Sequence, residues 1–167
     1  ISRAAVIDLT AKLRPDGRLD WIPPPGRWTV LRFGWSLTGQ TNGPAEAAAT
    51  GLEVDKLDPV AVRGYVDHYL GLYDQATGGK LGAKGVQNLL TDSWEAGVQN
   101  WTPTMLAQFK ARRGYDATPY LPVLAGRVVA DAATSDRFLW DFRRTLKEML
   151  ADHHQGVIAS TLHARGM

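Results

Sequence analysis

Apolar positions recur through residues 58–78 at Val62, Tyr65, Val66, Tyr69, Leu70 and Tyr73, a spacing that draws one stripe along a helix. Asp58-Pro59 supplies an N-cap and a first-turn proline, and Gly78-Gly79 supplies the stop. Thr102-Pro103 repeats that start signal, and Met105, Leu106 and Phe109 give a second helix its buried face as far as Gly114. Residues 119–124 predict a short helical turn. A last helix, capped by Thr134 or Ser135, keeps Phe138, Leu139, Phe142, Leu146, Met149, Leu150, His153, Val157 and Ile158 in phase across Gly156.

Elsewhere the pattern predicts strands. Residues 4–9 (AAVIDL) and 18–22 flank the turn signal Arg14-Pro15-Asp16-Gly17 and predict a hairpin. A Pro23-Pro24-Pro25-Gly26 break precedes residues 28–37 (WTVLRFGWSL), whose aromatic and β-branched content predicts the strongest strand. Residues 86–92 predict a short second strand. Between the strong strand and the first helix lies a connection, residues 38–57, longer than the ~12–15 residues that structureless loops usually reach.

Strand–helix alternation favours a parallel sheet covered by helices. Two such units fall short of the roughly 250 residues of a closed barrel. The expected class is therefore α/β: an incomplete (β/α)8 TIM-type barrel preceded by a β-hairpin from a flanking β-domain. Residues 1–27 would end that β-rich domain, and residues 28–167 would form the N-terminal portion of the barrel. With strand-like sequence at Ile1 and no leader peptide, the chain is expected to be a piece of a longer protein.

Composition fits a globular segment: 44% of the 167 residues are hydrophobic and 22% charged. The 19 basic and 17 acidic residues are too evenly matched to imply nucleic acid as a partner, although the sequence pI is near 9.0. No apolar run approaches the ~20 residues of a membrane helix. The absence of cysteine excludes disulfides and thiol chemistry. Neither a P-loop, a G-x-G-x-x-G turn, a G-x-S-x-G elbow nor an H-E-x-x-H pair occurs. The four histidines read as helix-surface or half-buried residues, and Trp21, Trp28, Trp35 and Trp140 as packing residues.

The densest polar and aromatic cluster is residues 91–102 (TDSWEAGVQNWT), placed where a strand would end and a helix begin. In a barrel that end of the strand carries catalytic groups. A carboxyl beside an indole is pushed toward its protonated form by apolar surroundings, which suits a proton donor to a leaving group. Glu95 is the candidate acid, with Asp92 as support and Trp94 or Trp101 as a surface for a sugar ring. On the residues alone an alternative stands beside this, with Asp92 capping a loop and Glu95 a solvated surface acid. Gln40, Asn42, Glu46, Glu53, Asp55 and Lys56 on the long connection suit hydroxyl recognition or oxygen ligation of calcium, without any EF-hand spacing.

The runs WTVLRFGWSLTGQTN, ATGLEVDKLD, LLTDSWEAGVQNWTPTMLAQFKARRGYD, TPYLPVLAGRVV and SDRFLWDFRRTL resemble, in consistent order, glycoside hydrolase family 106, the α-L-rhamnosidases. The resemblance implies a large multidomain bacterial enzyme, periplasmic or secreted, with a (β/α)8 catalytic domain. It also implies inverting release of terminal α-L-rhamnose from a rhamnose-containing oligosaccharide or glycoside, and dependence on calcium, with metal ligands unknown. The family's D-S-[aromatic]-E block falls on Asp92-Ser93-Trp94-Glu95, which makes Glu95 the general acid. Asp92, Trp94, Asn100, Trp101, Gln40 and Asn42 would shape the sugar pocket. The partner base is expected beyond this chain, leaving the isolated fragment inactive and packed, in the parent, against the rest of the barrel. Two other readings are a barrel glycosidase of different sugar specificity and a non-catalytic carbohydrate-binding or structural fragment.

Overall fold

The computed structural model describes residues 1–91 and 97–167. Its α-helices among these residues are α1 (Pro59–Thr77), α2 (Met105–Arg113), α3 (Leu121–Leu124), α4 (Ala132–Met149) and α5 (Gly156–His163). A π-helical turn, Leu150–Gln155, joins α4 to α5, and single 3-10 turns punctuate the intervening chain. Two compact units emerge, one from Ile1–Gly34 with Leu106–Thr145, the other from Trp35–Met105 with Leu146–Met167. None of the described helices is long and apolar enough to cross a membrane.

No β-strand occurs among the described residues, which overturns the expected α/β barrel with its leading hairpin. What remains of β pairing is isolated bridges: Leu13 to Leu19 and Thr41 to Leu52, antiparallel, and Leu81 to Val86, parallel. The hairpin turn itself forms, with Gly17 N–H donating to Arg14 O at 2.9 Å and Arg14 N–H to Arg18 O at 2.8 Å. The flanking strands do not, because short polar side chains capture the backbone locally. Ser2 Oγ accepts from Ala4 N–H at 3.3 Å, and Asp8 Oδ1 accepts from both Thr10 N–H (2.9 Å) and Thr10 Oγ1 (2.6 Å). Those bonds stand at the starts of 3-10 turns, Arg3–Ala5 and Thr10–Lys12, which backbone bonds such as Val6 N–H to Arg3 O and Leu13 N–H to Thr10 O close.

Residues 28–37 lack any ladder partner among the described residues, and Trp28, Val30, Phe33, Trp35 and Leu37 are exposed. β-propensity expresses fit to a half-buried pleated surface, and without that surface it fixes nothing. Residues 86–91 likewise make one bridge only, at Val86, whose N–H reaches Lys80 O at 3.0 Å.

The helices follow their signals more closely. Asp58 accepts from Val60 N–H at 2.9 Å, Pro59 opens α1, and Gly78 closes it in the left-handed region at φ 65°. In this second unit Val62, Val66 and Leu70 are buried with Ile158 of α5, flanked by Val54, Leu81, Leu89 and Leu162. The tyrosine half of the α1 stripe turns outward instead: Tyr65 and Tyr73 are exposed, and the Tyr69 and Tyr73 hydroxyls meet at 3.1 Å. Asp67 pairs with Arg165 at 2.6 Å, and a side chain at Gly82 would run into the Arg165 carbonyl at 2.8 Å.

The first unit has an aromatic core. Phe109 is fully buried, set edge-on to Tyr115 at 5.0 Å and tilted against Phe138 at 5.6 Å, while Tyr120 stacks on Phe138. Tyr115 donates to Asp141 at 3.0 Å; burial first, then this bond, pushes its phenol well above the usual range. Asp131, not Thr134 or Ser135, caps α4 by accepting from Thr134 N–H at 2.7 Å. Ser135 is buried and exchanges bonds with Val129 N–H and C=O, both at 3.0 Å.

Candidate functional site

Glu95, Asp92 and Trp94 lie outside the described residues. The segment that follows them is described, and its geometry is set by one carboxylate. Asp55 Oδ1 accepts from Leu57 N–H at 2.9 Å and from Gln99 Nε2, while Oδ2 accepts from Thr102 Oγ1 at 2.8 Å. Thr102 is buried, and its carbonyl accepts from Met105 N–H at 3.0 Å to start α2. The predicted cap residue thus turns its side chain to Asp55 and its backbone to the helix. Asn100 is exposed and Trp101 half-buried, and both lie between the two anchored residues.

The long connection is more ordered than a polar surface loop. Asn42 N–H donates to Gly51 O at 3.0 Å and Glu53 N–H to Gln40 O at 2.9 Å, closing its neck. Asn42 spends its amide on that closure: Nδ2 donates to Ala49 O at 3.0 Å, and Oδ1 accepts from Gly51 N–H at 2.7 Å. Gln40 is exposed, and its Oε1 would lie 3.8 Å from a side chain placed at Gly97. Gln40 therefore reaches the residue two positions after Glu95, whereas Asn42 serves the loop.

A second polar group forms where the connection meets the π-helical turn. His153 Nδ1 lies 2.8 Å from Leu57 O, a contact that requires the proton on Nδ1. Lys56, with its side chain 12% exposed, pairs with Glu53 at 3.3 Å. His154 sits half-buried near them; burial first, then the Lys56 charge, depresses its pKa, and Glu53 opposes. Leu57 and Gln99 also border a shallow cavity completed by Leu146, Lys147 and Leu150. Among the described residues no three acidic or histidine side chains gather closely enough to hold a metal ion.

The sequence had marked Asp55 only as one polar residue of a loop, and Gln99 not at all. The pairing of Asp55 with residues 44 and 47 positions away left no local trace. A carboxylate two residues ahead of a leucine, in a connection too long to be idle, was the available signal.

The family model of the α-L-rhamnosidases, glycoside hydrolase family 106, matches residues 1–167. The chain belongs to that family. Among solved structures, a rhamnosidase from Novosphingobium sp. PP1Y superposes with a TM-score of 0.89 at 49% identity, covering 99% of this chain and 16% of that one. A Formosa agariphila protein with the provisional name beta-glucuronidase is 39% identical over all 167 residues, which make up 14% of its length. This rhamnosidase-family chain therefore spans about one sixth or less of the relatives it matches. The D-S-W-E block falls within the matched residues, and Gln99 and Thr102, the residues held by Asp55, follow it closely in the chain.

Proposed function

We propose that this chain belongs to the catalytic region of a glycoside hydrolase that releases terminal α-L-rhamnosyl residues with inversion, and that Glu95 is its general acid. The observation that carries the reading is the whole-chain family match, with the D-S-W-E block immediately ahead of a segment tied down by Asp55. In this chemistry Glu95 protonates the glycosidic oxygen as the bond to the sugar breaks. A second carboxylate, on the opposite face of the ring, draws a proton from the attacking water. Trp94 and Trp101 offer faces for the ring, and Gln40 and Asn100 offer polar contacts to its hydroxyls.

Glu95→Gln in the full-length protein tests the assignment. General acid catalysis contributes roughly 10²–10⁴-fold, so turnover of an aryl α-L-rhamnoside with a poor leaving group should fall by about that factor. A leaving group that needs no proton should lose much less. Near-normal turnover on the poor leaving group would sink the acid role. The relative named for beta-glucuronidase supports a second reading, hydrolysis of a different glycoside. Aryl rhamnosides assayed beside aryl glucuronides separate the two.

A further inference from the structure

We infer that Asp55 is a positioning residue of the sugar site, the point that fixes Asn100 and Trp101 against the long connection. One carboxylate collects three donors from separate places in the chain: Leu57 N–H, Gln99 Nε2 and Thr102 Oγ1. With both oxygens committed, Asp55 is not a proton shuttle. Its effect is geometric: Gln99 and Thr102 are three residues apart, and holding both leaves Asn100 and Trp101 little freedom to swing.

The anchor is itself held. Two residues before it, Glu53 N–H closes the neck of the connection on Gln40 O at 2.9 Å. Two residues after it, Leu57 is 1% exposed and its carbonyl meets His153 Nδ1 at 2.8 Å. A charge-assisted bond to a fixed carboxylate is stiffer than one to a mobile side chain. Misplacing a binding group by about 1 Å can cost a hydrolase on the order of 10²-fold in rate. The inference rests on reading Asn100 and Trp101 as contacts of the sugar site.

The test uses Asp55→Asn, Asp55→Ala, Thr102→Ser and Thr102→Val in the full-length protein. Steady-state kinetics on an aryl α-L-rhamnoside are read with the 19F resonance of 5-fluorotryptophan at position 101, assigned by its loss in Trp101→Phe. Asp55→Asn keeps one oxygen for Leu57 and Gln99 and lets the Thr102 hydroxyl turn to accept, so its loss should be the smaller. Asp55→Ala and Thr102→Val should lower kcat/KM roughly 10- to 100-fold and move the Trp101 resonance. Thr102→Ser, which keeps the hydroxyl, should restore both.

A purely architectural Asp55 would lower the melting temperature while leaving the resonance and kcat/KM of the folded enzyme within twofold of the parent. That result overturns the inference. Should Asp55→Ala fail to fold, Thr102→Val against Thr102→Ser decides it on the same readouts. An unaffected Glu95→Gln enzyme whose Trp101 signal and KM still respond to Asp55→Asn would remove the acid assignment and keep the positioning role. A dead Glu95→Gln enzyme with silent Asp55 and Thr102 variants would remove the positioning role alone.

Discussion

His154 shows how burial and a neighbouring cation act together on one side chain. Its imidazole is half-buried near Lys56, and both influences disfavour the imidazolium in the folded chain, with Glu53 acting the other way. A histidine whose folded pKa lies below its unfolded value of about 6.5 leaves the unfolded chain binding more protons through that interval. Stability should therefore hold above pH 6.5 and decline as the pH falls toward the depressed value. The midpoint of urea unfolding followed from pH 7.5 to 5 should show this slope, and His154→Gln should flatten it. An unchanged slope in that variant would place the titration elsewhere. None of this could be read from the sequence, where His153-His154 were two polar residues near the end of a helical stripe. Their surroundings come from Glu53, Lys56 and Leu57, about a hundred positions away. Glu95 could be singled out because its signal is local, a carboxyl beside an indole in a dense polar run. The clamp at Asp55 could not, because a hydrogen bond across 47 residues leaves no periodicity.

Among the elements, what was legible is what a helix encodes within its own turn. Asp58, Pro59 and Gly78 fix the ends of α1, and each acts through a bond or torsion no more than a few residues long. Asp58→Ala should accordingly cost about 1 kcal/mol of stability, the usual worth of an N-cap, with Asp58→Ser recovering most of it in denaturant titrations. The strands were misread for the complementary reason. A strand is completed by a neighbour, and residues 28–37 have no such neighbour among the described residues despite six exposed apolar side chains suited to one. Near the N-terminus the expected strand lost to Ser2 and Asp8, whose side chains satisfy the backbone two residues on. Even the α1 stripe was half right: Val62, Val66 and Leu70 are buried, while Tyr65 and Tyr73 face outward and Tyr69 is half-buried.

Across the whole molecule the two units are each assembled from stretches remote in sequence, one around Phe109 and Phe138, the other around Val62, Val66, Leu70 and Ile158. Local patterning marks which residues are apolar and does not say which of two cores receives them. The last helical stretch illustrates this, since its stripe runs in phase from Phe138 to Ile158 yet supplies both cores. Within this stretch, in the second unit, lies the π-helical turn, where Gly156 N–H reaches back five residues to Ala151 O. A turn of this kind holds one residue more than an α-helix needs to cover the same rotation. The chain therefore has a place where it can become shorter. Deleting Ala151 should let α4 and α5 run on as a continuous α-helix with Ile158 still against α1, and the melting temperature should stay within a few degrees. Deleting Ala159 instead should rotate Thr161 and Leu162 by about 100° and lower it sharply. Loss of a residue would then be neutral at one position and disruptive eight positions later, so natural length variation along this helix should collect at the π turn.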